Sequence, residues 1–181
     1  MNEKVIFAGF GGQGVMLIGQ LLTYSGMDAG KEVSWLPSYG PEMRGGTANC
    51  HVIVSDAPIS SPIITKATSV IIMNNPSLGK FEPLVVPSGD IFINSSLVDQ
   101  EVERTEVNVY KIPANQLAIE IGSDKVPNMI MLGAYLAKHP VVSFDTLKAV
   151  MEKTMHGKKA AFISTNIKGI TAGMDYMRKM M

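Results

Sequence analysis

The stretch Val5-Ile6-Phe7-Ala8-Gly9-Phe10-Gly11-Gly12-Gln13-Gly14, followed by Val15-Met16-Leu17-Ile18-Gly19-Gln20-Leu21-Leu22, decides the fold class. Val5 to Phe10 is a β-type run. From Val15 the period changes, and Val15, Ile18, Leu21 and Leu22 fall on one helical face. Gly19 and Gly26 permit close approach of that helix to its neighbours, and Gly30 reads as its stop. Glu32 to Leu36 is a second strand. Residues 4–36 therefore form a strand–glycine turn–helix–strand unit, expected to be a right-handed crossover feeding a parallel sheet.

Outward from this unit, Pro37 to Gly46 is a Pro/Gly-rich loop and Ala48 to Ser55 alternates as a third strand. Ser69 to Met73 is a nearly continuous apolar run, typical of a strand buried on both faces. Asp90 to Asn94 and Val107 to Ile112 add two more strands. The last third is helical: Asn115 to Ile121, the almost wholly apolar Asn128 to Ala137, and Phe144 to Met155 with Ser143 as N-cap and Gly157 as stop. Ala160 to Met180 reads as a final helix weakened by Gly169 and Gly173. No repeat, low-complexity segment or linker interrupts the chain. The expectation is α/β: a single domain over residues 1–181 with an open, mostly parallel sheet and a helical C-terminal third.

The chain has 181 residues with 16 basic and 16 acidic side chains, so its formal net charge is zero. A hydrophobic share of 46% excludes a disordered chain, and the charge balance argues against nucleic acid as the main partner. Charged residues make up 18%, against about 25% in an ordinary soluble domain. They are absent between Lys4 and Asp28 and scarce from Gly45 to Ser55, so part of the surface is either neutral or covered by something else. The lone Cys50 excludes an intrachain disulfide and a Cys-rich metal framework, and any associated redox centre must sit on another chain. Cys50 itself reads as a small apolar residue in a strand. The N-terminus lacks a signal-peptide pattern and no apolar run reaches the ~18–20 residues of a membrane span, so a cytoplasmic location away from membranes is expected.

Gly9-Phe10-Gly11-Gly12-Gln13-Gly14 matches G-x-G-x-x-G in its required context, after a strand and opening a helix. Such glycines permit a tight turn and close ligand approach, and the helix N-terminus favours an anion. Two features oppose a dinucleotide or P-loop site. No acidic residue stands at the end of the second strand to hold a ribose, and no Lys-Ser or Lys-Thr pair follows the glycines. Nucleotide binding, a structural turn and a turn meeting a partner's surface remain open readings.

The second loop, Tyr39-Gly40-Pro41-Glu42-Met43-Arg44-Gly45-Gly46, should emerge on the same rim. Arg44 offers a planar fork for a carboxylate or phosphate, or else pairs with Glu42 inside a rigid loop. His51 lies mid-strand, and His139 and His156 lie near helix ends, where a cation suits the dipole. All three read as structural, and no nucleophile–base pair or metal spacing emerges.

At these two loops, and in Val52-Ile53-Val54-Ser55-Asp56 and Asn128-Met129-Ile130-Met131-Leu132-Gly133, the sequence resembles the gamma subunit of 2-oxoacid:ferredoxin oxidoreductases over essentially its whole length. The 2-oxoglutarate type is nearest, with the branched-chain 2-oxoacid and pyruvate types next. The resemblance implies a multisubunit enzyme that decarboxylates a 2-oxoacid on thiamine diphosphate and Mg, passes electrons through iron–sulfur clusters to ferredoxin, and delivers the acyl group to coenzyme A. It also implies that these cofactors belong mainly to alpha, beta and delta subunits, so no cofactor or metal is expected on this chain alone and no residue of it is expected to be catalytic. This chain would be a structural or site-completing subunit. Its expected docking rim, for partner subunits or an anionic group at their junction, is Gly9, Gly11, Gly12, Gln13, Gly14, Glu42, Met43, Arg44, Gly45 and Gly46. The Asn128–Ala137 helix is either a core helix or, if exposed, a surface for association or a homodimer. The competing reading is a stand-alone Rossmann-like, nucleotide-dependent oxidoreductase.

Overall fold

The computed structural model describes residues 1–39 and 46–181. In chain order it contains β1 (Asn2–Phe10), α1 (Val15–Asp28), β2 (Glu32–Tyr39), β3 (Thr47–Ser55), β4 (Ala67–Ile72), α2 (Asn75–Phe81), β5 (Val85–Asn94), β6 (Asn108–Ile112), α3 (Ala114–Glu120), α4 (Pro127–Lys138), α5 (Phe144–Thr154) and α6 (Ile163–Met180). The strands form one open sheet in the order β2-β3-β1-β4-β5-β6. β1, β4, β5 and β6 are mutually parallel neighbours, and β3 runs antiparallel to both β1 and β2. The α/β class and the mostly parallel sheet agree with the sequence reading.

The apolar runs of the central strands reflect burial on both faces. Val5 and Phe7 of β1 point into the core beneath α1 and α3–α6, while Ile6 and Ala8 point into a smaller core with Leu78 and Phe81 of α2. Phe92 of β5 joins the first core, and Ile91 and Ile93 join the second.

One expectation fails in an instructive way. The β1–α1–β2 unit forms, but β2 does not lie beside β1. β3 inserts between them, with Phe7 opposite Cys50 and Trp35 opposite Val52. β3 is buried along nearly its whole length, whereas β2 is half-exposed and carries Pro37. The strand that buries more apolar surface takes the inner position, and proline is best tolerated at an edge.

The sequence reading also missed α2. Asn74 caps it, accepting the Ser77 N–H on Oδ1 at 2.9 Å, and Pro76 occupies its first turn. Those two signals were present, but seven residues are too few for apolar periodicity to register. β5 begins at Val85 rather than Asp90, and its two halves are separated by a break in register where Ser88 adopts φ 63°.

In the helical layer Ser143 caps α5 as expected, its Oγ accepting the Thr146 N–H at 3.0 Å. α4 is the central helix, with Met129 through Tyr135 all buried. It is a core helix within the single chain, so the homodimer expectation that required its exposure loses its basis. α4 and α6 cross in close backbone contact. A Cβ at Gly133 would lie 2.0 Å from the Ile170 carbonyl oxygen. Gly169 and Gly173, read as weaknesses of the last helix, are what allow this approach.

Candidate functional site

β1 ends at Phe10 and the chain turns sharply through Gly11–Gly14. Gly12 and Gly14 have φ of 98° and 74°, the left-handed region that a side chain would strain, and Gly14 is the N-cap of α1. A Cβ on Gly14 would also collide with the Asn128 amide at 2.3 Å. Gln13 staples the turn. Its Oε1 accepts the Phe10 N–H at 2.6 Å, and its Nε2 donates to the Met73 carbonyl at the end of β4 at 3.0 Å. Gly9 has no room for a side chain because the Gln13 amide lies over it.

The rim expected from sequence is partly assembled. The Gly11 N–H donates to the Gly46 carbonyl at 2.8 Å, so the ends of the two glycine-bearing loops meet. Gly9, Gly11, Gly12, Gln13, Gly14 and Gly46 come together. Glu42, Met43, Arg44 and Gly45 lie outside the described residues. α1 and α2 leave β1 and β4 toward opposite faces of the sheet. The gap between these strand ends is therefore the crevice where ligands characteristically bind in open α/β sheets, and the Gln13 side chain spans it.

Two hollows flank the turn. A cleft of about 600 Å³ is lined by Phe10, Gly12, Met16, Tyr39, Lys125 and Phe162 among others, with Lys159 and Asn166 also on its wall. On the other side of Gly12 and Gly14, a more polar hollow of about 430 Å³ adds Gln13, Asn115, Asp124 and Asn128. The Lys125 ammonium lies 5.6 Å over the Phe162 ring. Intrahelical bonding in α1 starts with the Ile18 N–H donating to the Gly14 carbonyl at 3.2 Å. The N–H groups of the first turn therefore have no helical acceptor, and the turn itself carries no acidic side chain. The larger cleft combines an apolar body with two ammonium groups and a helix N-terminus. Its described lining carries no carboxylate, imidazole or thiol.

The geometry weakens the dinucleotide reading further. With strands about 4.8 Å apart, the interposed β3 puts the end of β2 about 10 Å from that of β1, so an acid there would stand one strand too far from the glycine turn.

A second polar constellation lies at the opposite end of the parallel strands, and sequence reasoning missed it. His139, the C-cap of α4, places Nε2 2.5 Å from Asp90 Oδ2 of β5 and 3.4 Å from Ser69 Oγ of β4. Its Nδ1 lies 3.7 Å from Glu3 Oε1 of β1. Thr68 Oγ1 donates to Glu3 Oε2 at 2.9 Å, and Asn108 Nδ2 donates to Asp90 Oδ1 at 2.8 Å. Burial by itself would lower the His139 pKa, but hydrogen bonds to Asp90 and Glu3 outweigh it and raise it to about 9. Burial likewise works against ionisation of Asp90 and Glu3, yet their bonds to His139 and to Asn108 or Thr68 hold both carboxyls below the ordinary range. Asp90 and Ser69 address the same imidazole nitrogen, which is not the relay order of a hydrolytic triad. The cluster is an ion-pair clamp fixing the end of α4 to the sheet.

The remaining candidates are structural. His51 Nδ1 accepts the Ile64 N–H at 3.1 Å. The buried Cys50 thiol donates to the Val15 carbonyl at 3.5 Å, and burial, only partly offset by the Trp35 indole, pushes its pKa to about 12. Among the described residues, no three His, Cys, Asp or Glu side chains converge as a metal site. No described helix is long and apolar enough to cross a membrane.

Comparison with known proteins agrees with the resemblance read from the two loops. The model of the family "Pyruvate ferredoxin/flavodoxin oxidoreductase" matches residues 4–176. Ketoisovalerate oxidoreductase subunit VorA of Methanothermobacter marburgensis is 32% identical over 97% of this chain, which spans 37% of that relative's length. Curated relatives of the ketoisovalerate, 2-oxoglutarate and pyruvate types all match, at 24 to 32% identity, so similarity does not single out one 2-oxoacid. Two solved structures share the fold. The gamma subunit of a keto/oxoacid ferredoxin oxidoreductase from Geobacter sulfurreducens PCA has a TM-score of 0.82 at 24% identity, covering 98% of this chain and 99% of that one. A 2-oxoglutarate:ferredoxin oxidoreductase from Magnetococcus marinus, with 2-oxoglutarate, coenzyme A and succinyl-CoA bound, has a TM-score of 0.83 at 23% identity, covering 97% and 31%. The chain thus belongs to the pyruvate ferredoxin/flavodoxin oxidoreductase family.

Proposed function

We propose that this chain works in a cytoplasmic 2-oxoacid:ferredoxin oxidoreductase complex, where it completes the coenzyme A side of the active site. The alpha, beta and delta subunits are its partners and ferredoxin is the electron acceptor of the whole. Thiamine diphosphate with its Mg ion, and the iron–sulfur clusters, belong to the partner subunits. The described residues of this chain supply no convergent ligand set for a metal, and the lone buried thiol cannot hold a cluster.

The observation that carries the reading is the cleft beside the glycine turn. Its apolar wall suits a long, mostly uncharged ligand arm, while Lys125, Lys159 and the first-turn N–H groups of α1 suit phosphate at one end. Coenzyme A has that division of character, and it is bound in the fold relative from Magnetococcus marinus. This chain's part is to bind and orient: the described cleft wall carries no carboxylate, imidazole or thiol, and its Lys125 and Lys159 serve as cations for phosphate. A stand-alone nucleotide-dependent oxidoreductase is the weaker reading, because β3 displaces the strand that would carry the ribose-binding acid.

The test is steady-state kinetics of the purified complex with Lys125→Ala and Lys159→Ala together. Loss of charge-assisted contacts worth about 1.5 kcal/mol should raise the KM for coenzyme A about tenfold, leaving the KM for the 2-oxoacid unchanged. An unaltered KM for coenzyme A would remove the site assignment. A complex containing this chain that oxidises no 2-oxoacid would remove the function itself.

A further inference from the structure

α1 has an outer face that an isolated soluble domain does not ordinarily show. Its inner face is buried through Val15, Ile18, Gly19, Leu21, Leu22, Thr23, Ser25 and Gly26. The opposite face runs Leu17, Gln20, Tyr24, Met27 at helical spacing, and Met16 adjoins it. Leu17, Met16 and Gln20 are half-exposed, while Tyr24 and Met27 are 45% and 57% exposed. A surface helix normally carries charge on this side. Here no charged residue occurs from Val5 to Met27, and the first one, Asp28, pairs with Lys153 of α5 at 2.7 Å. The strip opens at its N-terminal end into the cleft beside the glycine turn, which Met16, Leu17 and Gln20 help to line. At its other end it borders a notch of about 340 Å³ between α1 and α5, lined by Tyr24, Met27 and Val150 together with the paired Asp28 and Lys153. Tyrosine and methionine beside a notch, with charge confined to the one Asp28–Lys153 pair, are the composition of an interface core.

The relatives indicate what covers it. This chain spans 37% of the VorA subunit and 31% of the Magnetococcus marinus chain. In those proteins the same domain is attached to the remaining length of the oxidoreductase, so contacts between the two are contacts within one chain. We infer that the Leu17–Gln20–Tyr24–Met27 face of α1 is the surface on which this domain seats against that remaining portion of the oxidoreductase, through an uncharged, largely apolar contact continuous with the ligand cleft. The inference rests on the proposed membership in the complex and adds to it the face and the chemistry of the contact.

The test compares complexes carrying this chain as wild type, as Tyr24→Lys with Met27→Lys, or as Ile119→Lys. Lysine near the C-terminal end of a helix agrees with its dipole, so the double variant should keep the fold, checked by circular dichroism and thermal midpoint. Ile119 on α3 is 70% exposed and off the strip, and serves as an equally apolar control. Co-purification through a tagged partner subunit should retain wild type and Ile119→Lys and lose the double variant by tenfold or more. Retention of the double variant at wild-type stoichiometry, or equal loss with Ile119→Lys, would overturn the assignment. If the double variant fails to fold, Gln20→Arg with Met27→Gln is read in the same way. Should the wild-type chain itself associate with no subunit of a 2-oxoacid oxidoreductase, the proposed function fails first, and that outcome is distinct from the others.

Discussion

Gly173→Ala tests the packing of the helical layer with a single methyl group. A Cβ at Gly173 would lie 1.9 Å from the Ile130 carbonyl oxygen and 3.0 Å from the Ala134 nitrogen, all backbone atoms of α4. Carbon and carbonyl oxygen rest at about 3.3 Å or more, so α6 and α4 must part by about 1.4 Å where they cross. Neither wall is a flexible side chain that can swing aside. The crossing is sealed by Met129, Ile130, Ala134, Ile170 and Met177, each essentially unexposed. If that seam holds about as many close atom pairs as one buried leucine makes, ~50 at ~0.15 kcal/mol, a gap of ~1 Å forfeits roughly half, about 3–4 kcal/mol. The better helix propensity of alanine returns about 1 kcal/mol. The net loss is about 2–3 kcal/mol, or roughly 5–10 °C in Tm for a chain of this size. Gly79→Ala is the matched control. Gly79 lies within α2, and its Cβ would meet nothing within 4 Å, so the same chemical change should be neutral or stabilise by up to about 1 kcal/mol. Urea and thermal unfolding of the two variants beside the wild type should give shifts of different size and sign. A Gly173→Ala chain as stable as wild type would refute the close crossing of α4 and α6.

Two further expectations concern titratable groups. The folded-state pKa of His139, about 9, exceeds its ordinary 6.5, so the clamp's contribution to stability is full below about pH 6.5 and declines as pH rises through 9. Asp90 and Glu3, held below the ordinary range, contribute above it and lose that contribution on acidification. The urea midpoint should therefore fall between pH 7 and 9.5, and His139→Gln should flatten that slope; an identical slope in the variant would count against the clamp. Cys50, fully buried with its thiol pushed to about 12, should resist alkylation in the native chain and react only on unfolding. Rapid labelling of native protein by iodoacetamide would contradict its placement beneath α1.

Much of the candidate site was legible because its signals are local. Glycines at fixed offsets after a strand and before a helix announce a tight turn, and Gly12 and Gly14 take the left-handed backbone that only glycine accepts easily. That Gln13 would tie this turn to Met73 was not legible, because the two are 60 positions apart and the tie depends on β4 lying beside β1. Lys125, Lys159 and Phe162 escaped notice for the same reason: they belong to distant parts of the chain and meet the turn only in three dimensions.

By itself the sequence determined the α/β class, most element positions, the charge-free stretch from Val5 to Met27, and the exclusion of a cysteine-held cluster. Each of these depends on residue type and period within a short window or on a count. The tertiary structure alone decided that β3 separates β1 from β2, that Gly133 and Gly173 are contact points between helices, and that Glu3, Asp90 and His139 form one clamp. These depend on which apolar faces bury the most surface against one another. That competition runs over the whole chain, and no local window contains it.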